Sequence, residues 1–199
     1  YPYNGGILIA NFGTEELNPL NDEKKGYILY YKNDEIKPFI PADGNLSAPK
    51  GMFERDNYLY ICDVNKLVIY NLKALDKAPQ IVRFPADDLF LNDLAASGNT
   101  LYISVTNSGR IYTLDIGNPS DIAQSSLVKW LDITGPNGII LDGNTMYVAS
   151  YPADGSTTDA NVIYKVSNLK QPTVEKFFNV ASQYDGIALS TDKQTLYVS

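Results

Sequence analysis

Short apolar runs alternate along this chain with clusters of Gly, Asn, Asp, Ser and Pro. One pairing of runs recurs. Lys50-Gly51-Met52-Phe53 is followed by Leu59-Tyr60-Ile61-Cys62, and Asn92-Asp93-Leu94-Ala95 by Leu101-Tyr102-Ile103-Ser104. Asn137-Gly138-Ile139-Ile140 is followed by Met146-Tyr147-Val148-Ala149, and Asp185-Gly186-Ile187-Ala188 by Leu196-Tyr197-Val198-Ser199. The leading residues lie 42 (92−50), 45 (137−92) and 48 (185−137) positions apart. A third run recurs as Val68-Ile69-Tyr70, Arg110-Ile111-Tyr112 and Val162-Ile163-Tyr164. A fourth is less regular: Ile81-Val82-Arg83-Phe84, Leu127-Val128-Lys129-Trp130 and Val174-Glu175-Lys176-Phe177-Phe178. Apolar and polar residues alternate more clearly toward the fourth run, as expected of inner strands buried on both faces and an outer strand buried on one.

Turn signals separate the runs. Ser97-Gly98-Asn99 and Asp142-Gly143-Asn144 read as hairpins between first and second strands, and Ser108-Gly109 joins second to third. Phe12 to Lys25 is an acidic stretch without strand character, read as a surface excursion, and Leu72 to Lys77 is the one place where a short helix is expected. A period of this size, made of four short strands, predicts an all-β fold: a β-propeller of four-stranded antiparallel blades. The expected blades are 46–88, 89–133 and 134–180, flanked by a blade lacking its first strand over 1–45 and by the first two strands of another over 181–199. An open stack would leave bare strand edges, so the expectation is a longer closed ring, six-bladed in the parent protein. Leading residues of successive blades converge near the axis, which makes Lys50, Asn92, Asn137 and Asp185 the positions to examine for function.

Composition narrows the chemistry. The net charge is −7 and no Lys/Arg cluster exists, which argues against nucleic acid. No apolar run is long enough for a membrane-spanning helix. The chain has no histidine, so Ser-His, Cys-His and His-metal mechanisms within it are excluded. Cys62 is the single cysteine and reads as a small buried thiol. No G-x-G-x-x-G, Walker or G-x-S-x-G pattern is present. The acidic composition, rich in Tyr and Asn, leans toward a periplasmic or secreted protein.

Phe90-Leu91-Asn92-Asp93, Pro136-Asn137-Gly138-Ile139 and Tyr184-Asp185-Gly186-Ile187 resemble motifs of the gluconolactonase family, which includes regucalcin. The resemblance implies a six-bladed propeller with one divalent cation on its axis, held by a Glu, two Asn and an Asp. Asn92, Asn137 and Asp185 match three of those ligands in order and blade spacing; the Glu would precede Tyr1. The resemblance further implies hydrolysis of a lactone, with Asp185 as both ligand and general base. The chain departs from the pattern at Leu94, in place of a Gly, at Tyr184, in place of a Pro, and at Phe90, where some members carry a substrate-binding Arg.

An oxygen-only set of two amides and a carboxylate suits Ca²⁺ first, then Mg²⁺, with Zn²⁺ as a further occupant. The ligand implied is a lactone or other sugar-derived small molecule. The alternative is a non-catalytic propeller of the NHL-repeat type that binds a protein, peptide or glycan. Asn-Gly and Asp-Gly are also ordinary turn formers, and Pro49-Lys50-Gly51-Met52 is the plain version of the motif. Lys50 reads in two ways: an ammonium that pairs with Asp185 near the axis, or one that points into solvent at the channel mouth. Asp93 and Phe90 are further axial candidates. Tyr60, Tyr102, Tyr147 and Tyr197 recur in register and are expected to pack between blades.

Overall fold

A computed structural model describes residues 1–199. The chain forms two compact units: Tyr1–Leu91 with Asn118–Gln124, and Asn92–Gly117 with Ser125–Ser199. Helical structure is limited to a 3-10 turn at Gln124–Ser126.

The first unit holds two four-stranded sheets. One contains β1 (Pro2–Tyr3), β2 (Gly6–Asn11), β3 (Tyr27–Lys32) and β4 (Glu35–Ile40), and the other β5 (Met52–Arg55), β6 (Tyr58–Cys62), β7 (Lys66–Asn71) and β8 (Gln80–Arg83). In both, sequential strands are antiparallel neighbours, which is the meander of a propeller blade. The middle strands β6 and β7 are apolar and buried on both faces, whereas β4 exposes four of its six residues. Leu8, Ile28, Leu46, Leu59, Ile61 and Val68 fill one continuous core cluster of this unit.

The second unit begins within β9 (Leu91–Ser97), which joins β10 (Thr100–Val105), β11 (Arg110–Asp115) and β12 (Val128–Asp132) in a third sheet. The fourth sheet contains β13 (Pro136–Asp142), β14 (Thr145–Ser150), β15 (Ile163–Ser167) and β16 (Thr173–Phe178). The hairpin of β17 (Ile187–Leu189) and β18 (Leu196–Val198) completes the unit. Tyr102, Ile111, Ile139, Val148, Val162 and Val166 pack together, drawing the core from two blades at once.

Two expectations change. The first blade is not without a first strand: Pro2 pairs with Ile7 and Tyr3 with Gly6 across an Asn4-Gly5 turn with both residues at positive φ. Asn-Gly is the strongest two-residue hairpin signal, and it outweighs the shortness of the strand. Leu72–Lys77 forms hydrogen-bonded turns rather than a helix, because Asn71 takes the Lys73 N–H on its side chain and the Ala74 N–H on its backbone carbonyl. The segment from Phe12 to Lys25 forms no strand beyond β2, and Asn21 ties it down: it is buried and donates to the carbonyls of Asn18 and Ser47.

The recurring tyrosines also divide. Tyr60 is fully buried beside Phe53, and Tyr102 lies edge-on to Trp130 on the outer strand of its own blade, with ring centroids 4.8 Å apart. Tyr147 meets Phe177 in the same way at 5.0 Å, and Tyr197 is exposed. Cys62 is a buried thiol outside any disulfide, as its sequence context suggests.

Candidate functional site

Asn92, Asn137 and Asp185 all lie in the second unit, at the leading ends of successive blades. Two hydroxyls, Ser104 in β10 and Thr106 just past its end, stitch the first of these blades to the next. Thr106 Oγ1 accepts from Asn92 Nδ2 at 3.3 Å and donates to the Pro136 carbonyl at 2.9 Å. Ser104 Oγ donates to the Asn137 carbonyl at 2.6 Å and accepts the Asp93 N–H at 2.9 Å. The next seam is backbone to backbone: Gly138 N–H donates to the Asp185 carbonyl at 3.0 Å. The three residues therefore stand on neighbouring strands joined by a continuous hydrogen-bonded path.

Local geometry aims their side chains. Pro136 pairs with Ser150 and Ile139 with Val148, so Asn137 and Gly138 together oppose Ala149 in a β-bulge. Bulges re-aim side chains near functional sites. Gly138 has no positive φ and sits inside a strand, so turn formation does not explain it. A Cβ there would lie 2.6 Å from the Asp185 carbonyl oxygen and 3.0 Å from the Ile187 nitrogen. Glycine is needed because the next blade's backbone comes that close. The backbone pattern at the leading residues repeats between units: Lys50 N–H donates to Cys62 and Cys62 N–H to Gly51, as Asp185 N–H donates to Ser199 and Ser199 N–H to Gly186.

As a donor set these residues suit a hard cation. Asn92 spends its amide N–H on Thr106, which leaves Oδ1 as the ligand end. Asn137 is 3% exposed, and its carboxamide makes no hydrogen bond within the protein. It is not sealed from water either; the sealed and unpaired side-chain atoms are the Tyr60 and Ser108 hydroxyls. Asp185 is exposed and brings the single negative charge. No group of three or more His, Cys, Asp and Glu is gathered anywhere in the chain.

Asp93 is occupied structurally. Its Oδ2 accepts the Ile139 N–H at 2.9 Å and its Oδ1 the Leu94 N–H at 2.8 Å, so it bridges two blades through the backbone. Burial pushes its carboxyl up to about 6; the two N–H donors oppose the shift and the nearby Asp185 charge adds to it.

Lys50 and Phe90 lie in the first unit. The Lys50 ammonium donates to the carbonyls of Pro19 and Ala48, both at 2.9 Å, and stands 5.0 Å from the Phe90 ring centroid and 5.6 Å from that of Phe12. It thus clamps the 12–25 segment against its own blade. Burial lowers it to about 8, against the pull of Asp63 and Cys62. Phe90 adopts a positive φ of 68° as its N–H and that of Leu91 both reach the Val64 carbonyl. Ser104 and Thr106, the hydroxyls that link the candidate ligands, are the site residues that sequence reading misses. Their signal is faint: a polar residue inside an otherwise buried second strand and another directly after it.

No protein-family model matches the chain, and no curated protein matches it. Solved structures do. A protein of unknown function from Desulfotomaculum acetoxidans is 15% identical with a TM-score of 0.64, over 87% of this chain and 55% of that one. A candidate 6-phosphogluconolactonase from Bacteroides uniformis is 15% identical with a TM-score of 0.63, over 99% of this chain and 61% of that one. Streptogramin B lyase is 16% identical with a TM-score of 0.56, over 76% and 47%. The chain thus spans between 47% and 61% of the length of these three structures. At such identities the likeness speaks for the fold alone, and that fold, in agreement with the sheets described above, is the β-propeller.

Proposed function

We propose that this chain carries the cation-binding face of a gluconolactonase-like propeller that hydrolyses a lactone or similar cyclic ester. Asn92, Asn137 and Asp185 hold the cation, with Ca²⁺ as first choice. The observation that supports this most is Asn137: a side chain 3% exposed whose carboxamide has no partner in the protein. No protein donor satisfies its oxygen and solvent still reaches it, so that oxygen is open to a cation.

The remaining roles follow from the hydrogen bonds. Thr106 orients the Asn92 amide so that its oxygen is the coordinating atom. Ser104 and the Asp185 carbonyl fix the peptide after Asn137, and Thr106 fixes the one before it. Asp185, exposed, takes the proton from the attacking water. A bound cation supplies Lewis acidity toward the scissile carbonyl.

Calcium titration by calorimetry on the wild type and on Asp185→Ala tests this reading, followed by hydrolysis of D-glucono-1,5-lactone with and without Ca²⁺. Binding lost in the variant and Ca²⁺-dependent hydrolysis are expected. A wild type that binds no Ca²⁺, Mg²⁺ or Zn²⁺ overturns it.

One observation favours a second reading, a non-catalytic propeller that binds a protein, peptide or glycan. The donor set contains a single carboxylate, and no richer cluster is present. Cation binding without lactone hydrolysis supports that reading.

A further inference from the structure

A groove of about 450 Å³ opens in the second unit, formed by three connectors at the leading end of its blades. Thr106 to Gly109 link β10 to β11, Thr134 and Gly135 link β12 to β13, and residues from Tyr151 to Asn161 link β14 to β15. The first connector begins at Thr106, which also holds Asn92, so the groove adjoins the candidate cation ligands without containing them.

The groove is built rather than incidental. Asn161 is 2% exposed; its Oδ1 accepts both the N–H and the hydroxyl of Thr158, at 2.8 and 3.0 Å, while its Nδ2 donates to Ser150 Oγ at 3.3 Å. Ser150 Oγ passes a hydrogen bond to the Thr134 carbonyl at 2.6 Å, and Tyr151 N–H donates to the Gly135 carbonyl at 2.8 Å. Gly135 has φ of 48°, and a Cβ there would lie 2.0 Å from the Tyr151 carbonyl oxygen. Two connectors are therefore locked together before any ligand arrives, which lowers the ordering cost of binding.

The chemistry of the walls is specific. Hydroxyls and carboxamides dominate, Tyr151 adds an aromatic ring, and no Lys or Arg lines the groove. The one charged lining residue is Asp154, which gives one carboxylate oxygen to the Ser156 N–H at 2.9 Å. Thr106, Thr158 and Asn161 are spent within the protein, but the Asn107, Thr134, Tyr151 and Ser156 side chains make no hydrogen bond in it and face solvent, offering donors and acceptors to a ligand with many hydroxyls and nothing to neutralise an anion.

We infer that this groove binds an uncharged polyhydroxylated ligand, a sugar or polyol, and discriminates against phosphorylated or carboxylated counterparts. Discrimination comes from Asp154 and from the absence of a cationic partner. The inference does not depend on a bound cation.

Saturation-transfer NMR and calorimetry on the full chain, in buffer containing EDTA, test it with D-glucose and D-glucitol against 6-phospho-D-gluconate. The uncharged pair is expected to bind, with the phosphorylated acid at least roughly tenfold weaker, about the cost of one unfavourable charge contact. Asn107→Ala, an exposed lining position, weakens the uncharged ligands several-fold, and Asp154→Lys narrows the gap to the phosphorylated acid. No binding of either uncharged compound at tens of millimolar overturns the inference. So does equal binding of the phosphorylated acid, or binding that neither substitution changes. Because EDTA is present throughout, a failed cation site leaves these outcomes untouched.

Discussion

The Ser104 hydroxyl donates to the Asn137 carbonyl at 2.6 Å while accepting the Asp93 N–H at 2.9 Å. One fully buried hydroxyl thus joins the third blade to the fourth at the point where two candidate ligands enter the strands. Ser104→Ala leaves a buried acceptor and a buried donor unpaired, and the expected loss is about 2 kcal/mol in urea unfolding. Calcium affinity should fall with it, since Asn137 loses its backbone anchor. A variant as stable as wild type would show that water replaces the hydroxyl.

Gly138 makes the approach of the next blade sterically feasible. Gly138→Ala places a methyl group 2.6 Å from the Asp185 carbonyl, against backbone that has no flexible end to yield. The Gly138 N–H bond to that carbonyl must lengthen, and Asp185 moves away from Asn137. We expect about 1–3 kcal/mol of destabilisation, the range for overpacking. Hydrogen exchange should report it locally as faster exchange of the Gly186 and Ser199 amides. Unchanged protection at both would contradict the close approach.

The blade repeat was legible in the sequence because burial on both faces writes continuous apolar runs, and β6, β7 and β10 are such runs. The leading positions were legible too: Lys50 and Asp185 make the same backbone exchange with Cys62 and Ser199. What Gly138 does was not, since Asn-Gly reads locally as a turn and the cause lies in a strand 47 residues away (185−138). Lys50 was read as reaching Asp185 or solvent; its donors go instead to Pro19 and Ala48, partners that no periodicity in the sequence announces. Ser104 and Thr106 escaped notice for the same reason, because a buried hydroxyl in or just after a strand has no local signature until its acceptor on the next blade is known.

Asp93 makes stability depend on pH in the acid range. Its folded pKa, about 6, lies above the ordinary 3.8, so the folded chain holds this proton more tightly than the unfolded one. The contribution is fully present below about pH 4 and is lost as pH rises through 6. Asp93→Asn removes the titration and keeps an acceptor for the Ile139 N–H. The difference in unfolding free energy, wild type minus variant, should fall by about 2 kcal/mol between pH 4 and 7. A flat difference would mean the carboxylate is solvated well enough to ionise normally.

Lys50 works in the opposite pH direction. Burial lowers its folded pKa from 10.5 to about 8, so between those values the unfolded chain binds the extra proton. The penalty for burying the ammonium is present below pH 8 and is relieved as pH rises toward 10.5, which means stability gains with pH across this window. Lys50→Met keeps the length of the side chain and its contact with the Phe12 and Phe90 rings, but removes the charge and the two carbonyl bonds. Wild type minus Lys50→Met should therefore rise between pH 8 and 10.5 by about 2–3 kcal/mol, less than the full shift because the folded chain is already half deprotonated at pH 8 and the unfolded chain still half protonated at pH 10.5. Limited proteolysis supplies the local readout: at pH 7 the 12–25 segment should be cut faster in the variant, since only wild type holds the Pro19 carbonyl. Equal cutting rates would show that Asn21 and its bonds to Asn18 and Ser47 hold the segment without Lys50.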